Sequence, residues 1–219
     1  FRYFETHLST VPSQSRNMKR RMSSLNSFMR AVRFTSMATR TLDQFYGMEV
    51  ATMDAFLMGS VFDLRYNTKD WKVAGLMVRG SKRVMSEAPS SASGSAILLK
   101  PGRFVMNDIC IVPDRMDRAI REITWDNGLL PHASTLMGMR VETKDAVLLG
   151  AVAAVEIDVD SWKIRSFRVK MEKDAMKTLG IRGLFSKTAS GVLTDFVSAV
   201  TDRVVLRRTL DGLRGDLVL

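Results

Sequence analysis

Few side chains in this sequence belong to types that do chemistry near neutral pH. There are two histidines, His7 and His132, and one cysteine, Cys110. A zinc site wants three or four convergent His, Cys or carboxylate ligands. A nucleophile needs a base within hydrogen-bond reach. Two distant histidines and one cysteine supply neither, so no catalytic residue, metal ligand or cofactor-binding residue is named. Cys110 stands beside Ile109, Ile111 and Val112 and reads as a small buried hydrophobe. His132 follows Pro131 in a linker, LLPHAS.

Other patterns fail in the same way. Asp158-Val-Asp160 opens like a calcium loop but lacks the Gly at the sixth position and the Glu at the twelfth. Its counterpart earlier in the chain is Asn67-Thr-Lys69, which carries a cation, so a turn is the better reading. No glycine-rich phosphate loop is present, and Gly180-Ile-Arg-Gly183 reads as a helix end. Fifteen methionines would suit an adaptable docking face, but most stand at core spacings or near the start. With no acid–base pair to name, the expectation is a non-enzymatic protein without a cofactor.

Two tryptophans carry more information. Setting Gly47–Val78 against Gly138–Val169, 91 residues later, gives 12 identities in 32 positions without a gap. Gly47, Gly59 and Trp71 fall on Gly138, Gly150 and Trp162. An internal repeat of this kind outranks any short motif. Within each copy, β-branched and apolar runs flank a polar turn, Asn67–Asp70 or Asp158–Ser161, and then Trp-Lys-Val/Ile follows. That is a hairpin. Thr52–Ala55 and Thr143–Ala146 read as an earlier turn, so each copy opens as three short strands. Val73 and Leu76 are three apart, as are Ile164 and Phe167, whereas a strand alternates with period two. A bulge between them would curl the sheet. The matched tryptophans point to a structural role, each capping its own hairpin with the indole N–H at the rim.

Later segments differ between the copies. Glu172–Gly180 reads as a short helix with Gly180 as its stop. Leu193–Val200 reads as one or two helical turns, and Arg203–Leu206 as a closing strand. In the first copy Ser81–Ser95 reads as a Ser/Ala-rich loop, with strands at Ala96–Lys100 and Ile109–Val112. The expected organisation is a basic disordered tail over 1–43, a first domain over 44–112, a linker helix within 113–135, a second domain over 136–210 and a short tail over 211–219.

The net charge is +10, but its distribution is uneven. Residues 1–42 hold eight Lys/Arg against one acid, Glu5, while the rest is nearly balanced. Their composition fits a disordered arm, an upstream stretch joined to the reading frame, or an organelle targeting sequence. The longest apolar run, Ala146–Val155, is too short for a bilayer span of about 20 residues. A single cysteine excludes an internal disulfide and fits a reducing, cytoplasmic setting.

The pattern G-x-V-x-x-hydrophobic, a polar turn, then W-K-[V/I]-x-x-[L/F]-x-V resembles the PRC-barrel family. The ending Leu193–Leu206 looks like the archaeal branch, though Thr201 stands where a Gly is usual and no Pro precedes it. The resemblance covers roughly residues 44–112 and 136–208. It implies a mainly β fold of two tandem small barrels with short helices. Members include the cytoplasmic part of the reaction-centre H subunit, the C-terminal domain of a ribosome maturation factor and archaeal adaptors of cell division. Their common thread is protein–protein docking, a fold-level analogy. The expectation is an adaptor for a protein partner, with a homodimer as one arrangement it could take. The alternative is an RNA- or ribosome-binding factor using the basic tail and Arg203, Arg207, Arg208 and Arg214.

Overall fold

Burial along the longest strands shows what folds this chain. In β3 (Leu57–Tyr66) Met58, Val61 and Leu64 are buried, and in β9 (Leu148–Asp158) Leu149, Val152, Val155 and Ile157 are buried. Each such apolar side chain contributes about 1.5–3 kcal/mol on burial. The computed structural model describes residues 39–88, 90, 95–181 and 190–213. The expectation for residues 1–38 lies outside the described residues.

The fold is mainly β: two curled sheets form half-barrels, with three short α-helices. The remaining strands are β1 (Thr39–Thr41), β2 (Glu49–Thr52), β4 (Val73–Gly80), β5 (Ile97–Leu99), β6 (Val105–Met106), β7 (Cys110–Val112), β8 (Arg140–Glu142), β10 (Lys163–Met171), β11 (Ser190–Leu193), β12 (Val197–Val200) and β13 (Arg203–Leu206). The helices are α1 (Lys82–Ser86), α2 (Met116–Arg121) and α3 (Lys173–Leu179). The first sheet runs β5-β4-β3-β2-β7-β6 and the second β11-β10-β9-β8-β13-β12, with β1 added on β9. The orders are the same, including one parallel pair in each, β2 with β7 and β8 with β13.

The repeat extends to defects. Phe62 in the first half and Ala153 in the second are each an extra residue opposite the neighbouring strand, as are Ala74 and Arg165. The expected bulge between Val73 and Leu76 is Ala74. Ala55 and Ala146 take positive φ at 61° and 60°. Such a conformation costs a non-glycine residue roughly 1–2 kcal/mol, so packing must hold it in both copies. A Cβ on Gly59 would lie 2.1 Å from the Arg79 carbonyl oxygen, and one on Gly150 2.1 Å from that of Lys170. Only glycine lets these strand pairs approach so closely.

Four expectations are corrected. Residues 39–43, placed in a disordered tail, form β1 and the start of a 3₁₀ turn (Leu42–Phe45), because Leu42 and Phe45 are buried in the core. Ser81–Ser86, expected as loop, is α1 with its Ser81 N-cap, starting at the position equivalent to α3, and Val84 anchors it. Within Leu193–Val200 only Thr194–Phe196 make a helical turn, since the flanks pair as β11 and β12. Asp211–Leu213, assigned to a tail, is a 3₁₀ turn with Leu213 buried.

The halves also exchange segments. β1 precedes the first half yet pairs with β9 of the second, Arg40 opposite Ile157. Pro131 and His132 precede the second half yet meet β3 of the first: Tyr66 N–H donates to the Pro131 carbonyl at 3.3 Å, and Arg65 lies opposite His132. Within the stretch expected as a linker, Trp125 and His132 thus bridge to strands of the first half, beyond the helix α2. One continuous buried cluster spans both halves.

Candidate functional site at the joint between the halves

Hydrogen bonds across the two Trp-Lys segments form the joint. Val73 N–H donates to the Trp162 carbonyl at 2.7 Å, and Ile164 N–H donates to the Trp71 carbonyl at 2.8 Å. Lys72 thereby faces Lys163 in an antiparallel bridge. Trp71 and Trp162 are both left-handed, with φ 61° and 53°. That turn brings each backbone to the other half.

The indoles cross the joint as well, correcting the expectation that each caps its own hairpin. Trp71 is buried, stacks on Tyr66 at 5.7 Å and meets Phe167 of the second half edge-on at 5.4 Å. Trp162 meets Phe104 at 5.3 Å and Phe45 at 6.2 Å, both of the first half. Aromatic pairs at such separations add about 0.5–1.5 kcal/mol beyond area burial. Burial pushes the Tyr66 phenol up to about 12. Gly47 and Gly138 lie outside the joint, in equivalent turns with φ 76° and 77°.

A polar cluster, not expected from the sequence, sits beside this joint. Asp63 is buried, and Leu64 N–H, Ser134 N–H and the Ser134 hydroxyl donate to its carboxylate at 2.8, 3.1 and 2.5 Å. His132 Nδ1 lies 2.9 Å from Asp63 Oδ2. Next to it Arg65 Nη2 pairs with Asp126 at 2.5 Å and Arg65 Nη1 donates to the Leu130 carbonyl. Burial opposes ionisation of Asp126, but the Arg65 hydrogen bonds and charge outweigh it and hold this carboxyl below its ordinary value. Tyr46 is raised, by burial first and then by the charges of Asp63 and Asp43.

Aspartate, histidine and serine invite comparison with a hydrolytic triad, but the wiring differs. A triad needs its serine bonded to the imidazole. Here the Ser134 hydroxyl donates to Asp63 instead. The cluster does structural work: Asp63 accepts the Ser134 N–H at the start of the 3₁₀ turn Ala133–Leu136 and fastens that segment to β3. Sequence reasoning missed it because Asp63 and His132 are 69 apart. The one available signal was broken symmetry, since Ala154 stands at the position repeating Asp63.

The remaining residues singled out have plain places. Cys110 is fully buried and burial pushes its thiol up to about 12, against a small opposing effect of Arg40. Asp158 accepts from Asp160 N–H and Ser161 N–H at 3.0 Å each, which makes a turn. Among the described residues no group of three or more His, Cys, Asp or Glu could hold a metal ion. No helix of the described residues is long and apolar enough to cross a membrane.

The outer face of the first sheet carries an apolar row. Leu57 lies opposite Ala51, Ala51 opposite Ile111, and Ile111 opposite Val105, across four strands. Leu57 is 46% exposed, with Met53 at 47% and Ile109 at 37%. The matching row in the second sheet is Leu148, Glu142, Val205 and Ala199. There Glu142 is ion-paired with Arg203 at 2.9 Å. Of these two matching rows of described residues, only the first is apolar throughout.

Scanned against protein-family models, the sequence matches none, and no curated protein matches it.

Proposed function

We propose that this chain is a non-enzymatic docking adaptor of two PRC-barrel-type halves, presenting the outer face of its first sheet to a protein partner. The apolar row Leu57–Ala51–Ile111–Val105 carries this reading. Interface cores are depleted in charge relative to the rest of a surface. Exposed apolar groups gathered into a patch mark an interaction site more than scattered ones do. The PRC-barrel part is supported by the repeated strand order, the repeated bulges and the Gly-to-Trp motif. Archaeal-type docking at cell-division or ribosomal assemblies is the family's known use and the partner class proposed.

RNA binding is less well supported by the described residues. Of the Arg-rich region, Arg203 is paired with Glu142 and Asp202, Arg207 donates to the Val197 carbonyl, and Arg208 lies over the Phe196 ring. Phosphate contacts need cations that are available.

A capture experiment from the native lysate separates the readings. The bait is the parent or Leu57→Asp/Ile109→Asp, with and without nuclease. A protein partner that survives nuclease and is lost with the variant supports the adaptor. A catch lost on nuclease treatment and unchanged by the variant overturns it.

A further inference from the structure

Beyond β7 and β13 the two halves stay in step at an offset of 94 residues. Met53 N–H donates to the Asp114 carbonyl at 3.1 Å, and Lys144 N–H donates to the Arg208 carbonyl at 2.8 Å. The Asp54 carboxylate accepts from Met116 N–H and that of Asp145 from Leu210 N–H, each at 3.2 Å. Buried Met116 thus answers to buried Leu210, and buried Ala119 to Leu213. Leu213 is fully buried. The first half therefore carries a small side chain where the second packs a large one.

A cleft of about 310 Å³ lies beside Ala119. β5 and the segment from α2 to Thr124 form its walls, tied together where Leu98 N–H donates to the Thr124 carbonyl at 2.8 Å. Its floor is apolar: Met58, Ile97, Leu99 and Val112 are buried there with Ala119. Met58 and Val112 are the chain neighbours of Leu57 and Ile111, and neighbours on a strand point to opposite faces. The cleft thus lies on the other face of the sheet from the apolar row.

The mouth of the cleft is charged. Lys100, Arg103 and Glu122 line it, and all three are exposed. Arg103 pairs with Glu122, which also accepts from Arg118 Nε at 3.0 Å. Lys100 has no ion-pair partner among the described residues, so it is the cation left over. An apolar hollow of about 300 Å³ or more with a few placed polar groups is the form that small-molecule sites take.

We propose that this cleft binds a medium-chain carboxylic acid, with its alkyl chain on the floor beside Ala119 and its carboxylate on Lys100, next to Arg103. At about 30 Å³ for each water-sized group, the cleft holds a chain of about ten heavy atoms. A neutral alkyl ligand leaves Lys100 unanswered, and an alkylamine is repelled by it. The site is separate from the row proposed for a protein partner, so either assignment can fail without the other.

Calorimetric titration of the full chain with octanoate tests this. From hexanoate to decanoate the affinity should rise about fourfold per added methylene and then level off as the cleft fills. Octanoate should bind about tenfold or more tightly than 1-octanol, and Lys100→Glu should remove that advantage. Ala119→Leu, which copies the second half, should abolish binding in protein whose thermal midpoint shows it folded. Lys100→Glu changes only an exposed side chain and answers the question if the leucine unfolds the chain. Leu57→Asp/Ile109→Asp should leave octanoate affinity unchanged. No binding of octanoate at millimolar concentration overturns the proposal, and so does equal affinity for octanol or an affinity indifferent to Lys100→Glu. Loss of octanoate binding in Leu57→Asp/Ile109→Asp also overturns it, because the acid would then sit on the outer row.

Discussion

Trp71 and Trp162 each accept, through the backbone carbonyl, a hydrogen bond from the residue two beyond the other, Ile164 and Val73, at 2.8 and 2.7 Å. The joint is therefore reciprocal. With the exchange of β1 and Pro131–His132 it gives the halves one core, and denaturant unfolding should be a single transition. Ile164→Ala should cost about 2–5 kcal/mol, and Val73→Ala less, because it removes one carbon fewer from a similarly buried site. Two separate transitions would mean that the halves fold apart.

Gly59→Ala and Gly150→Ala should each destabilise by about 1–3 kcal/mol or prevent folding. The new methyl would sit 2.1 Å from a backbone oxygen that cannot swing away. Gly47→Ala is the control. Its Cβ would meet nothing within 4 Å, leaving only the strain of its positive φ. Thermal midpoints of the three variants give the ranking.

Breaking the ion pair of Arg65 and Asp126 from one side should be far worse than replacing both. Both side chains are about 90% buried. Arg65→Met alone leaves a carboxylate without its partner, at a cost of roughly 3–5 kcal/mol. Arg65→Met with Asp126→Leu should recover much of that. Urea unfolding of the two single variants and the double variant measures the coupling.

Asp54 and Asp145 hold equivalent positions, and both carboxyls lie below their ordinary value. Their first cause is the side-chain hydrogen bond from Thr52 or Thr143. A depressed folded value stabilises the fold above the unfolded one, about 3.9. That contribution is lost as pH falls through the folded value. Asp54→Asn and Asp145→Asn should thus flatten the acid limb of the stability profile below about pH 4.

Cys110 should resist thiol reagents in the native protein. It is fully buried and its thiol is pushed up to about 12. The thiolate is the reactive form. Labelling should follow the unfolding transition measured by circular dichroism. Fast stoichiometric labelling of folded protein would put the β2–β7 pair at the surface.

The local pattern determined much of this protein. Twelve identities at a fixed 91-residue spacing, with apolar runs flanking polar turns, were enough for two copies of a three-stranded unit. The three-residue step from Val73 to Leu76 marked the bulge at Ala74. Those features are local, and a strand's period and a turn's residues are written within a few positions. Tertiary structure decided which half each segment serves. Nothing near Arg40 says that it will lie opposite Ile157, and nothing near Trp71 says that its ring will meet Phe167. The same holds for the cluster of Asp63, His132 and Ser134, whose members are brought together by a segment exchange. Long-range pairing is settled by which surfaces can be buried together once strands exist. One sequence carrying two similar units can satisfy its edges within a unit or across both, and only packing of the shared core selects between them.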